Sequence, residues 1–501
     1  MNKKTASVIL SYLLIGVDLV VGIFFVPFLL EGLGDSEYGL YKLMFSTASY
    51  LSVLDFGIGA TITRYVVKYK TEGKKQEEQN FVTMGFIIYI VLSLLVLILA
   101  SLVAFAIPIL YKASIPSNQT QYAQIMFLGM CISTAINLLN HAYTGLISAY
   151  EEFVFSKASN IIKVLLRVAL IVLGVMWKAS AWVIVLVDVI LAIALLIVNA
   201  IFVRLKMRFK LKLHHWDSAI AKEAFVFTAA ILIQSVINQF NTNVSNVILG
   251  IFTTTAVVAL YSVALQLYIM YSNLSTAIST IYFPAISRAV FNGESDDAVT
   301  KKIIEPSRMQ LTVLLLALTG FCSFGLDFID LWVGLEYNEV YAITIILLAA
   351  STLELSQNTI TSVLKAKNIL FGKTIILAVS TLANILITCI LVPQIGAMGA
   401  AIGTAFSMVF GYGFALNIYY QKKAKINVKL YFEKTFKGIL LVSVCCLFVG
   451  LVINKIIVCD SYFDFAIEAI IYVAIYCILM LLFGLNEQEK NRIFLKFRKG
   501  K

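Results

Sequence analysis

Charged side chains fall inside long apolar runs of this 501-residue chain, among them Asp18, Asp55, Lys163, Arg167, Asp188, Glu354 and Glu468, while Arg64 closes the run that holds Asp55. A charge at the centre of a hydrocarbon-embedded helix costs about 2.5–3.5 kcal/mol on insertion scales. Side chains kept there at that cost face a wet cavity or a partner. Lys163 and Arg167 sit one helical turn apart. Two readings are open for them. They snorkel to the interface, or they face inward and form a cationic floor suited to a phosphate-bearing ligand, because ammonium and guanidinium groups pair well with phosphate. In the second case Asp18, Asp55 and Glu354 become counter-charges or sites for a proton or cation. Arg64 carries the same pair of readings. On a straight helix Asp55 and Arg64 point to opposite faces, so a direct pair between them requires distortion near Gly57 and Gly59.

Polar residues enter the same runs at helical spacing, which aligns them on one face. Ser133, Asn137, His141, Thr144 and Ser148 are separated by steps of four, four, three and four. Gln234, Asn238, Asn241 and Ser245 form a second stripe, with Gln239, Asn243 and Asn246 on another face of that run. Ser262, Gln266 and Asn273 form a third, and Glu354, Asn358, Thr361 and Lys365 a fourth. Any one stripe is accounted for by helix-to-helix bonds worth about a kilocalorie or less. Several together favour a polar cavity. His141 reads as a hydrogen-bonded helix contact ahead of a proton relay.

The elements that must hold these residues follow from composition. The chain is 60% hydrophobic and 13% charged, with a mean hydropathy of +0.91, whereas soluble domains carry about a quarter charged residues. Apolar runs recur at twenty-odd residues, enough for a helix to cross about 30 Å of hydrocarbon. They predict fourteen spans, near 6–30, 39–62, 81–107, 122–148, 158–176, 181–203, 224–251, 257–287, 309–330, 341–364, 374–392, 399–420, 438–458 and 464–485. The fold class is therefore an all-α polytopic membrane protein. The opening run continues to Leu30 without a small-residue cleavage site and reads as a retained span, not a signal peptide. Pro27 and Pro284 lie in long runs and mark expected kinks.

The net charge of +11 does not point to nucleic acid, because the basic residues cluster in alternate short loops. Arg64 to Lys75, Arg204 to Lys212, Lys301–Lys302, Lys422 to Lys429 and the tail from Lys490 to Lys501 all fall on one side, whereas Lys112, Lys178 and Lys455 fall on the other. By the positive-inside rule this places both termini in the cytoplasm, in a multi-pass protein of the cytoplasmic membrane. The outer loops are too short for a folded domain. The inner loops hold no phosphate-binding Gly-x-x-x-x-Gly-Lys motif. The seven cysteines show neither metal spacing nor a disulfide framework. No cofactor, metal or enzymatic chemistry is expected.

Leu33-Gly34 to Leu40-Tyr41 has a weak echo in Leu249-Gly250 to Leu260-Tyr261, and each precedes a long run with a basic end, Arg64 and Arg288. Duplicated six-helix halves with a substrate path between them are a common transporter design. The expected division is 1–210, 211–425, and an extra helix pair with a basic tail at 426–501.

Leu33-Gly34-Asp35-Ser36-Glu37-Tyr38-Gly39-Leu40-Tyr41, then Asp55-Phe56-Gly57 and Arg64, resembles the opening of polysaccharide flippases. These are the O-antigen and capsule repeat-unit transporters of the multidrug/oligosaccharidyl-lipid/polysaccharide superfamily. Asp330-Leu331-Trp332-Val333-Gly334 and Pro393-Gln394-Ile395-Gly396-Ala397-Met398-Gly399-Ala400-Ala401 resemble later loops of that family. The resemblance spans roughly 1–425 and implies two six-helix lobes in a V. It also implies an undecaprenyl-pyrophosphate-linked oligosaccharide moved from the inner to the outer leaflet, with ion-gradient coupling by proton or sodium. Only Asp55 and Arg64 carry over by motif. Expected partners are the lipid-linked sugar, membrane lipids and glycan polymerases. The alternatives are a drug/cation antiporter of the same superfamily, which calls for an acidic cavity, and a membrane glycan polymerase or ligase, which calls for an extended outer segment.

Overall fold

A computed structural model describes the backbone of residues 3–215, 218–457 and 459–491. Side chains of 1–9, 12, 15 and 216–231 lie outside the description, as do Arg492, Lys496, Arg498, Lys499 and Lys501 of the expected cytoplasmic tail. Among the described residues every regular element is helical and there is no strand. Apolar side chains dominate, and a chain in hydrocarbon must bond its own backbone, which only helices do segment by segment. Twelve helices of the described residues are long and apolar enough to cross a membrane, two fewer than the fourteen expected. One difference is the stretch Leu370–Lys422, which counts as one span although Ile395 and Gly396 leave helical geometry inside it. The other is the run expected at 224–251, whose helix lies partly outside the described side chains.

By their internal contacts the residues fall into two compact units, Met1–Ser262 and Val263–Lys501. The first contains α1 (Lys3–Leu33), α2 (Asp35–Ser49), α3 (Ile58–Thr71), α4 (Lys75–Leu110), α5 (Thr120–Ala149), α6 (Phe153–Trp177), α7 (Trp182–Ile201) and α8 (Ser218–Phe252). α9 (Thr255–Phe291) begins there. The expected second span is thus broken. α2 tightens into a 3₁₀ turn at Tyr50–Asp55, then Phe56 (φ 51°) and Gly57 (φ 66°) adopt left-handed backbone before α3 starts. Phe56 pays steric strain for this that glycine does not.

The first unit packs closely where side chains are missing. A Cβ on Gly39 would lie 1.8 Å from the Thr255 carbonyl oxygen, and one on Gly145 would lie 2.6 Å from that of Gly59. Ser36 Oγ and Thr255 Oγ1 share a hydrogen bond of 3.0 Å beside the first contact. Thr63 Oγ1 donates to Gly145 O at 2.9 Å beside the second. Small residues let helix backbones approach in a membrane, where dispersion and hydrogen bonds replace the hydrophobic drive.

The second unit continues with α10 (Asp296–Trp332), α11 (Asn338–Ser356), α12 (Ile360–Ala366), α13 (Leu370–Ser407), α14 (Leu416–Lys422), α15 (Val428–Phe436), α16 (Ile439–Ile456) and α17 (Tyr462–Leu479). Within α13, Gly396 (φ 54°) folds the chain back. A Cβ on Gly399 would meet the Leu391 backbone at 2.7 Å and one on Gly403 the Thr388 hydroxyl at 2.3 Å. The last pair, α16 and α17, docks on α10 through a buried cluster that includes Leu311, Leu315, Phe324, Cys446 and Tyr472. Tyr476 Oη donates to Thr312 O at 2.9 Å and shares a 3.1 Å bond with Ser443 Oγ.

Candidate functional site

In the first unit Arg167 and Lys163 share one carboxylate, and Lys42 stands beside Arg167. Arg167 on α6 forks onto Asp188 of α7, with Nε to Oδ1 at 2.6 Å and Nη2 to Oδ2 at 2.9 Å. Its Nη2 also reaches Tyr41 Oη of α2 at 3.4 Å. Lys163, one turn before Arg167, interacts electrostatically with both Asp188 and Arg167. Lys42 of α2 interacts with Arg167 and stands 5.3 Å over the Tyr38 ring. Arg167 and Asp188 keep 29% and 30% of their side chains exposed, so the pair is open on one side. Arg167 lies ten residues from the end of α6, about 15 Å along the axis, which is near the middle of a bilayer's hydrocarbon.

The α5 stripe separates into distinct partners. Ser133 Oγ donates to the Asp188 carbonyl at 3.3 Å, and Asn137 Nδ2 to Ser133 Oγ at 3.5 Å. Asn140 pairs with Asn199 of α7 at 2.8 Å. His141 Nδ1 lies 2.9 Å from Asp55 Oδ1, and Tyr89 Oη of α4 donates to the same oxygen at 2.7 Å. The break after Asp55 supplies the distortion that a pair with Arg64 required, yet the partner of Asp55 is His141. Arg64 is exposed on α3, and Asp18 is exposed on α1.

On α8 the two faces differ. Gln239 Nε2 donates to Ser49 O at 2.8 Å, where α2 ends, and Asn246 Nδ2 to Ser46 Oγ at 3.1 Å. Those residues join helices. On the other face Gln234 and Asn241 are half-buried and Asn238 is exposed.

In the second unit Glu354 is half-buried and its electrostatic neighbour is Lys373. Lys373 Nζ donates to Thr361 Oγ1 at 2.9 Å and also senses Lys365, which is exposed. Asn358 Nδ2 reaches Ser275 Oγ and Thr276 Oγ1, both at 3.5 Å. Gln266 is half-buried and Asn273 exposed. Among the described residues no group of three or more His, Cys, Asp or Glu is arranged to hold a metal ion.

Sequence reasoning passed over Lys42, Tyr89, Lys373 and Arg308. Lys42 and Lys373 were visible as lysines at the edges of apolar runs. Tyr89 had no signal, because a tyrosine in an apolar run reads as core. Arg308 of α10 is 4% exposed. It forks onto Glu489 at 2.6 and 3.1 Å and donates to the carbonyls of Lys434, Lys437 and Gly484 at 2.7, 3.0 and 2.8 Å.

The broken second helix and the glycine-packed crossings belong to a bundle of helices long and apolar enough to cross a membrane. The family of polysaccharide biosynthesis proteins matches residues 3–290, more than half of the 501 residues, and the chain belongs to that family. A curated relative, the probable flippase AglR of Haloferax volcanii, is 29% identical over 168 residues, 33% of this chain and 35% of that protein. The match thus spans about a third of the relative's length. Two solved structures share the fold. One is the lipid II flippase MurJ in an inward closed conformation, with a TM-score of 0.71 at 17% identity over 95% of this chain and 98% of that one. The other is a MATE family multidrug transporter of the MOP superfamily, facing inward, with 0.58 at 11% identity over 83% and 94%.

Proposed function

We propose that the protein carries a lipid-linked oligosaccharide, its sugars joined through a pyrophosphate to a polyprenyl chain, from the cytoplasmic to the outer leaflet of the cell membrane by alternating access. The observation that carries this reading is the cation-rich group in the first unit, where Lys163 and Arg167 share Asp188 and Lys42 stands beside Arg167. A pyrophosphate supplies the missing negative charge. Its oxygens accept the charge-assisted bonds that ammonium and guanidinium groups offer. A sugar head group cannot cross hydrocarbon bare, because each hydroxyl would lose its hydrogen bonds to water. A polar path through the bundle preserves them while the polyprenyl tail stays in lipid.

In this reading residues 1–210 and 211–425 act as the two moving lobes and 426–501 as an added pair. Both termini are cytoplasmic, since the basic loops gather on that side. Alternation requires two arrangements of nearly equal free energy, biased by the cargo and by a proton or sodium gradient. An excess of cations also argues against a small cationic drug as cargo, since like charges repel in a medium of low dielectric.

The test is reconstitution in vesicles with a fluorescent pyrophosphate-linked oligosaccharide, followed by quenching from outside. Wild-type protein should expose the label, and Lys163→Ala and Arg167→Ala should slow its appearance. Equal rates in protein-free vesicles, wild type and variants would overturn the reading.

A further inference from the structure

We infer that Asp55, His141 and Tyr89 form a proton-binding site wired to the break between α2 and α3. The inference rests on the reading above only for its purpose, a site for the coupling ion. The geometry stands without it.

Three bonds make a chain from the imidazole to the backbone. Asp55 Oδ1 accepts from Tyr89 Oη at 2.7 Å and lies 2.9 Å from His141 Nδ1. An ionised carboxylate only accepts, so Nδ1 carries the hydrogen between the two residues and Nε2 is left as the free base. Tyr89 Oη in turn accepts from the Gly59 amide at 2.7 Å. Gly59 is in the first turn of α3, two residues past the left-handed pair Phe56 and Gly57. The phenol therefore clamps the two sides of the break, Asp55 before it and Gly59 after it.

The site is reachable, with 44% of the His141 side chain and 31% of Asp55 exposed. Few other charges bear on it. α4 contributes Tyr89 and α5 contributes His141. Residues 232–252 of α8, which pack on the 3₁₀ turn, carry no ionisable group. The nearest ionisable residue along α2 is Lys42, and along α3 it is the exposed Arg64. Tyr50, within the turn, stacks on Phe240 at 4.7 Å. A proton added at Nε2 takes the Asp55–His141 pair from a net charge of −1 to zero. Histidine is the side chain suited to make that change between about pH 5 and 8. Neutralising the pair strengthens the histidine bond to Oδ1 and competes with Tyr89 for the same oxygen. The change reaches the Gly59 amide, and with it the start of α3.

The experiment uses the purified full-length protein in detergent, without cargo. Selectively labelled histidine is followed by NMR from about pH 5 to pH 8. The chain has three histidines, so His141→Asn assigns the signal by removing it. Hydrogen exchange of residues 50–60, corrected for the intrinsic effect of pH, is read on the same samples and should change about tenfold across the transition, the size of a 1.4 kcal/mol shift. Asp55→Asn should move the midpoint and abolish the exchange response. Tyr89→Phe should keep the titration and lose the response. A His141 signal that does not titrate in this range overturns the proton site, and an unchanged exchange response in Tyr89→Phe or His141→Asn overturns the wiring. Loss of cargo transport with this result intact would count against the transport reading alone.

Discussion

Arg167 and Arg308 make nearly the same bond in very different surroundings. Each forks onto one carboxylate, Asp188 at 2.6 and 2.9 Å and Glu489 at 2.6 and 3.1 Å. Arg308 is sealed at 4% exposure, and its remaining donors end on carbonyls at the ends of α15 and after α17. Charge and hydrogen bonds there are both closed. Arg167 stands open at 29% exposure, with Lys163 beside the same acid and Lys42 beside Arg167 itself. Bond geometry alone does not tell a structural arginine from a ligand-facing one. The count of charges around it, and whether its donors are already used, does. By that measure Arg308 fastens the added helix pair, and Arg167 with its neighbouring lysines is the group we propose to meet the cargo.

The contrast can be broken in four ways. Arg308→Ala takes the ion partner from Glu489 and the side-chain donor from a set of carbonyls and should cost about 3–5 kcal/mol. Thermal unfolding in detergent would read it, and an unchanged midpoint would erase the structural half of the comparison. Gly39→Ala forces a methyl into the Thr255 backbone and should cost about 1–3 kcal/mol, again read by thermal unfolding. Gly16→Ala, with nothing within 4 Å of its added carbon, is the control. Lys163→Ala should weaken binding of a soluble pyrophosphate about tenfold, near 1.4 kcal/mol, with the unfolding midpoint kept. A loss of stability without a loss of affinity would make Lys163 a structural residue like Arg308. Tyr476→Phe removes the bonds to Thr312 and Ser443 and should cost about 0.5–1.5 kcal/mol without altering pyrophosphate affinity.

Much of the architecture was legible because hydropathy has only one outlet in a membrane. The apolar runs located the helices, and the glycine motifs marked real turns. Gly34 (φ 78°), Gly57, Gly334 (φ 98°) and Gly396 all adopt left-handed or otherwise glycine-favoured backbone, as short loops between long helices demand. The same motifs read as a functional signature turn out to hold the packing together. Glu37 accepts from Tyr122 Oη at 2.5 Å and from the Ala181 amide at 2.7 Å, which ties α2 to the start of α5 and the loop before α7. The candidate site was legible only as a set of residues. Periodicity put Asn137 and His141 on one face of α5, but it did not say that one would turn toward α7 and the other toward a broken helix.

The sequence by itself determined that this is a bundle of membrane-crossing helices, where most of them run, and which residues are too polar to sit in lipid without a reason. Those conclusions rest on composition and period, which are local. Which charges meet was decided by the tertiary structure alone. The left-handed step at Phe56 and Gly57 supplies the distortion that a pair between Asp55 and Arg64 needs, and Asp55 nevertheless meets His141 and Tyr89 of the neighbouring helices. Partner choice depends on how separate helices rotate about their own axes, and no single helix carries that information.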